Sequence, residues 1–252
     1  MLISFESRAW LQGARPWQAW LGAVLLLCLL CAQAGAQETL SARVKVVEAG
    51  AKAESSHAEN VVVWLSPVGA QTVTKPFPNH PLRLTQHNKS FEPHLLVVPV
   101  GAVVQFPNRD PFFHNVFSLF EGKRFDLGLY EAGTTRNVSF DRAGVSYIFC
   151  NIHAEMSAVV IALDTPYFGI SNQKGEVVIP QVPSGRYTMR VWYETALPET
   201  LNAMTREVSV TENSSTLGVL EIPAGLAATT HKNKYGMDYE PPNPDTPAYD
   251  HP

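Results

Sequence analysis

Tyr147-Ile148-Phe149-Cys150-Asn151-Ile152-His153-Ala154-Glu155-Met156 carries a thiol, an imidazole and a thioether at three-residue intervals. Strand-forming residues at 145–149 precede the thiol and an apolar run at 158–163 follows the thioether. The three side chains therefore fall on one short loop between two predicted strands. Upstream, Asn108-Arg109-Asp110-Pro111-Phe112-Phe113-His114-Asn115 brings a second histidine to the start of another strand. One thiolate, two imidazoles and a weak axial thioether are the donor set of a blue-copper centre. The soft thiolate favours Cu(I), imidazoles serve both oxidation states, and a distant thioether imposes no square-planar field. The candidate ligands of one type 1 copper ion are thus His114, Cys150, His153 and Met156.

Outward from this loop the chain reads as all-β. Predicted strands cover 43–47, 61–66, 90–93, 95–98, 103–107, 114–119, 125–130, 135–140, 145–149 and 158–163. Many short strands broken by Gly, Pro, Asn and Asp predict a Greek-key barrel or sandwich. A short helix near Lys123 is allowed but not demanded. Beyond Leu163, strands are predicted at 167–171, 176–180, 186–194, 206–210 and 217–222, with turns at Gly175 and Pro183-Ser184-Gly185. The expected organisation is a barrel over 37–163 and a second small β-sandwich over 164–224. Residues 37–75 either open the barrel or complete the sandwich, because 58–67 resembles an early strand of the latter. From Gly225 to Pro252 polar residues and proline dominate, predicting a disordered tail.

The N-terminus bears on the cysteine count. Arg8 and Arg15 precede an apolar run from Leu21 to Cys31, and Ala32-Gln33-Ala34-Gly35-Ala36 follows. This pattern predicts a secretory signal cleaved after Ala36 and a periplasmic protein. An uncleaved anchor is the competing reading, weakened by Gln18 and Gln33 inside the apolar stretch. Cleavage removes Cys28 and Cys31 and leaves Cys150 alone of the three cysteines. A lone thiol in an oxidising compartment is inert, intermolecular or committed to a metal. The segment after Ala36 carries 17 basic and 22 acidic residues, so its net charge is −5. That balance, without a basic block, argues against nucleic acid as a partner. No later stretch is apolar enough for stable membrane insertion.

Each candidate has a blander competitor. Buried cysteine is commonly packing, Cys-x-x-His alone is a weak motif, and methionine often fills gaps beside a strand. Zinc accepts two histidines and one cysteine but has no use for Met156. A cysteine hydrolase would need an orienting group that no signature here supplies. Glu155 is a hard donor and a poorer partner for this metal. His57, His80, His87, His94, His231 and His251 form no second spaced cluster. His94 reads as structural, and His231 and His251 as solvated. Phe112 and Phe113 are either core or an apolar rim beside His114.

The ligand segments resemble the cupredoxin family, of the amicyanin and plastocyanin type, over 91–163. The spacing Cys150-x-x-His153-x-x-Met156 is similar to the short-loop version, and His114-Asn115 matches the upstream motif. The resemblance implies copper bound by all four candidates, with Asn115 tying the two ligand loops together by hydrogen bonding. Phe91-Glu92-Pro93-His94-Leu95-Leu96-Val97-Val98, the Cys150-Asn151-Ile152-His153 loop and Asp164–Phe168 also resemble the bacterial group labelled methylamine-utilisation proteins. Gly175 to Trp192 resembles the carboxypeptidase-regulatory or transthyretin-like sandwich, which implies a spacer or binding module without catalytic residues. These likenesses imply a non-enzymatic one-electron carrier that docks with periplasmic redox partner proteins near His153. The alternatives are a copper-binding or delivery protein, or a structural or ligand-binding double sandwich.

Overall fold

Two alternating patterns place the strands. In Ser157–Leu163, Ala158, Val160 and Ala162 join one buried cluster while Val159, Ile161 and Leu163 join another. In Val62–Pro67, Val63 and Leu65 face one core, and Val62 and Trp64 face that same second cluster. Successive side chains on a strand point to opposite faces. A strand buried on both faces must lie between two layers, so these two strands mark where two β-structures meet.

The structure, a computed structural model, describes residues 37–47, 58–69, 76–119, 122–223, 225 and 231–239. The expected signal segment 1–36 lies outside them, as do His57, His251 and the tail beyond Tyr239. No helix among the described residues is long and apolar enough to cross a membrane.

Among the described residues the chain is all-β apart from one short helix. In order the strands are β1 Gln37–Val47, β2 Val62–Pro67, β3 Thr85–His87, β4 Ser90–Glu92, β5 Leu95–Pro99, β6 Ala102–Pro107, β7 His114–Ser118 and β8 Phe125–Tyr130. There follow β9 Thr135–Phe140, β10 Gly144–Cys150, β11 Ser157–Leu163, β12 Phe168–Ile170, β13 Glu176–Pro183 and β14 Gly185–Trp192, then helix α1 Pro198–Ala203, β15 Arg206–Val210 and β16 Thr216–Pro223. The barrel has a five-stranded sheet in the order β5-β11-β10-β7-β8, with the pairs β6-β9 and β3-β4 completing it. Phe106, Val116, Phe140, Ile148, Cys150 and Met156 share its core. The second body is a sandwich of the sheets β13-β1-β16 and β12-β2-β14-β15 around Leu40, Val44, Val63, Tyr167, Ile179, Tyr187 and Leu220.

β1 and β2 therefore pair with strands after residue 164, not with the barrel. Of the two placements left open for 37–75, these strands take the one in the sandwich, and the barrel's strands lie between Thr85 and Leu163. The reason is register: β1 fills the gap between β13 and β16, so Leu40, Val44 and Val46 enter the sandwich core. Gly175 permits the approach of β1. Its φ is +71°, its carbonyl accepts the Val44 N–H at 2.7 Å, and a Cβ there would strike the Val44 carbonyl.

Helix α1 was not legible in the sequence, since its six residues bury nothing and carry no apolar period. It starts with a proline at the first helical position, as that ring allows. The helix allowed near Lys123 does not form at Gly122, Lys123 or Arg124.

The barrel and sandwich share the cluster Val62, Val97, Val159, Ile161, Leu163 and Trp192. His94 adds a polar tie, with Nδ1 3.2 Å from the Ser157 carbonyl and Nε2 2.6 Å from Glu194 Oε2. The Glu194 hydrogen bond raises the His94 pKa against the opposing effect of burial. Because β1 and β2 are each interior to a sheet, a fragment spanning 164–224 would leave β13, β16, β12 and β14 with open edges. It is expected to show no cooperative thermal transition by circular dichroism, and a sharp transition would count against this partition.

Candidate metal centre

The site lies where β7 begins and β10 ends. These neighbours pair antiparallel through Phe117–Phe149 and Val116–Cys150, which brings His114 beside the thiol. After Cys150 the chain turns tightly. The Met156 N–H donates to the His153 carbonyl at 3.2 Å, and the Cys150 N–H donates to the Met156 carbonyl at 3.2 Å. This turn points His153 back toward Cys150 before β11 starts.

His114 Nδ1 lies 3.6 Å from Cys150 Sγ, and His153 Nδ1 lies 3.5 Å from it. One donor atom from each of the three residues falls within a sphere where all lie within 4.8 Å of one another. Among the described residues no other trio of His, Cys or acidic side chains converges so closely. His114 and Cys150 are wholly buried and His153 is 7% exposed. Met156 is also fully buried, in the same core cluster as Cys150. Glu155 is exposed and stands outside the trio.

Asp110, absent from the sequence-level candidates, orients the upstream histidine. Its Oδ2 is 2.8 Å from His114 Nε2, and the carboxylate also accepts the N–H groups of Asn88 at 2.5 Å and Lys89 at 3.0 Å. Burial pushes the Asp110 pKa up, but the hydrogen bonds from Lys89, His114 and Asn88 outweigh it, and the net shift is downward. With this carboxylate ionised, Nε2 is the protonated nitrogen, so the Nδ1 lone pair faces the thiol. The signal was the spacing of Asp110 four residues before His114, in an Asn-Arg-Asp-Pro turn. Asn108 closes that turn by accepting the Asp110 N–H at 3.0 Å and donating to the Phe112 carbonyl at 2.7 Å.

Burial lowers the His114 pKa, partly opposed by Asp110. Burial and then the neighbouring His114 lower His153 to about 4. Both rings are neutral near neutral pH, as imidazole ligands must be. Burial raises the Cys150 thiol, while hydrogen bonds from the backbone of Ile152, Asn115 and His153 pull it the other way. The Phe112 ring covers both imidazoles, with centroids 5.3 Å from His114 and 5.6 Å from His153. Phe112 thus belongs to the site's wall.

Asn115 ties the two ligand segments together, but through its backbone: its carbonyl accepts the Asn151 N–H at 2.9 Å. Its side chain instead donates to Asp126 Oδ1 on β8 at 2.6 Å. Residues 231–239, in the stretch read from composition as a disordered tail, pack against this end of the barrel. His231, expected in solvent, is half-buried and stacked on Phe149 at 4.1 Å. Hydrogen bonds rather than apolar periodicity hold this segment, so its composition resembled disorder.

No protein-family model matches the chain, and no curated protein matches it in sequence. Among solved structures it is similar to a purple cupredoxin from Nitrosopumilus maritimus, at 22% identity and a TM-score of 0.30 over 32% of this chain and 98% of that one. It is similar to a copper-containing nitrite reductase from Thermus scotoductus at 21% identity and a TM-score of 0.32, over 47% of this chain and 28% of that one. An amicyanin variant in its Cu(I) form is similar at 20% identity and a TM-score of 0.31, over 32% of this chain and 80% of that one.

The donor set fits copper on its own chemistry. A thiol and two neutral imidazoles converge in a buried site, and a thioether is buried in the same core. Soft sulfur with imidazole selects copper over hard cations. Zinc would find the same trio acceptable, but it has no use for the Met156 thioether buried in the same core.

Proposed function

We propose that this chain is an exported, cupredoxin-type electron carrier holding one type 1 copper through His114, Cys150 and His153, with Met156 as the axial donor. The observation that carries the reading is the convergence of two imidazole Nδ1 atoms on one buried thiol. Bound there, copper would supply a Cu(I)/Cu(II) couple in a donor set acceptable to both oxidation states. The protein's part is to keep that set fixed. Asp110 holds the His114 tautomer, β7–β10 pairing fixes the His114–Cys150 spacing, and the 153–156 turn returns His153 to the site. A prearranged site changes little as charge changes, which suits one-electron exchange with small, transient interfaces. The second sandwich, which β1 and β2 complete, fits a spacer or docking module, and the chain carries out no catalysis.

The burial of His153 at 7% exposure favours a second reading, copper held for storage or delivery. One experiment separates them. Adding Cu(II) to the metal-free protein should give an intense visible thiolate-to-copper charge-transfer band, and ascorbate should bleach it reversibly. Measurable electron self-exchange between oxidised and reduced protein supports the carrier. Copper retained with the band but without exchange supports storage, and no binding removes both readings.

A further inference from the structure

The segment 231–239 crosses the ligand end of the barrel, far in sequence from everything it touches. It is shaped by its own turn. Asn233 Oδ1 accepts the N–H groups of Tyr235 and Met237 at 3.0 Å each, and the Asn233 N–H donates to the Met237 carbonyl at 2.9 Å. Gly236 sits in that turn with φ +78°, a conformation other residues adopt at a cost.

From this turn the segment meets three consecutive residues, the last two of the Cys150 strand and Asn151 just after it. The His231 ring stacks on Phe149 at 4.1 Å, the Tyr239 hydroxyl donates to the Cys150 carbonyl at 2.6 Å, and the Lys234 N–H donates to Asn151 Oδ1 at 2.9 Å. His231 and Tyr239 also brace each other, edge to face, at 5.2 Å. A fourth contact reaches β8, the strand beside the other ligand strand. Lys234 Nζ lies 2.8 Å from Asp126 Oδ2, and Asp126 Oδ1 accepts from Asn115, the residue after His114. Both sides of the site are therefore tied to one segment.

None of these contacts builds the barrel core, which closes without them. They act where β10 stops pairing, at the carbonyl of the thiol-bearing residue, which needs a hydrogen-bond partner. We propose that residues 231–239 are a strap that belongs to the metal centre, holding the Cys150 segment closed and limiting access to its thiol. Its effect on the metal-free thiol stands apart from the copper reading, whereas its effect on metal loss rests on that reading.

The test compares the full chain with a chain ending at Gly225 and with Tyr239→Phe and Lys234→Ala. In metal-free protein, alkylation of Cys150 by iodoacetamide is timed under native conditions, beside thermal unfolding. In copper-loaded protein, loss of the visible band to a chelator is timed. Alkylation is expected to rise about fivefold in Tyr239→Phe, near what one net hydrogen bond allows, and about tenfold or more in the shortened chain. Chelator-driven loss should quicken in the same order. If the shortened chain unfolds, the two point variants decide. Alkylation unchanged in both, or in a folded shortened chain, overturns the strap. A full chain that binds no copper, with the alkylation increase still seen in the variants, overturns the electron-carrier reading and leaves the strap intact.

Discussion

Replacing Cys150 by serine is expected to abolish the visible copper–thiolate band completely. After Ala36 there is no other cysteine, since the remaining two are Cys28 and Cys31. No second thiolate after Ala36 can substitute, and a hydroxyl neither ionises near neutral pH nor forms the covalent bond from which the colour arises. Retention of copper should fall with it, because two imidazoles and a thioether remain as a weaker set. The fold should survive. Backbone groups of Ile152, Asn115 and His153 already point hydrogen bonds at Sγ and can serve a serine oxygen instead. Loss of stability should stay within about 1–3 kcal/mol, the cost of a poorly satisfied buried polar group. Absorption spectra of Cu(II)-titrated Cys150→Ser and wild-type protein, with urea unfolding of both, check the two statements. A variant that keeps the band would remove Cys150 from the ligand set.

Acid is expected to destabilise the metal-free protein between about pH 6.5 and pH 4. His153 titrates near 6.5 when unfolded and at about 4 when folded. Across that interval the unfolded chain binds one proton more than the folded chain. Stability therefore falls as pH falls, and this contribution levels off below the folded value. At 1.36 kcal/mol per unit, the loss from His153 is at most about 3 kcal/mol. His114 is shifted in the same direction by burial and adds to it. Asp110, a depressed carboxylate, loses its contribution only in more acid solution. His94 acts with the opposite sign. Its raised pKa gives stability that is present below the unfolded value and lost as pH rises through the folded one, but the His94–Glu194 pair is exposed and weak. Urea midpoints at pH 7 and pH 4.5 should show the decline, and His153→Gln should flatten it. A midpoint unchanged or higher in acid would contradict the burial of these rings. In loaded protein protons compete with the metal for the same nitrogens, so acid should also release copper.

Much of this molecule is written in local pattern. Cys150, His153 and Met156 stand in one loop, and donor chemistry alone singles them out with His114. Strand alternation in 145–149 and 158–163 is equally local, which is why the all-β class was legible. Several decisive contacts have no local trace. Asp110 reaches His114 from a turn whose spacing was visible but whose direction was set by the Asn88 and Lys89 N–H groups. Asn115 joins the ligand segments by its carbonyl, an atom every residue possesses, so its identity could not reveal the role. β1 belongs to the sandwich because β13 and β16 leave room between them, about 130 to 180 residues later. The tail is held by Lys234, Tyr239 and His231 to partners 83 to 108 residues away for the hydrogen bonds, and their polar setting imitates disorder. Sequence by itself determined which residues offer metal-binding atoms and that strands would carry them. Tertiary structure decided which nitrogen faces the thiol, which body the first strands complete, and what closes over Cys150. Those depend on hydrogen-bond partners brought together only when the chain folds, and no periodicity encodes them.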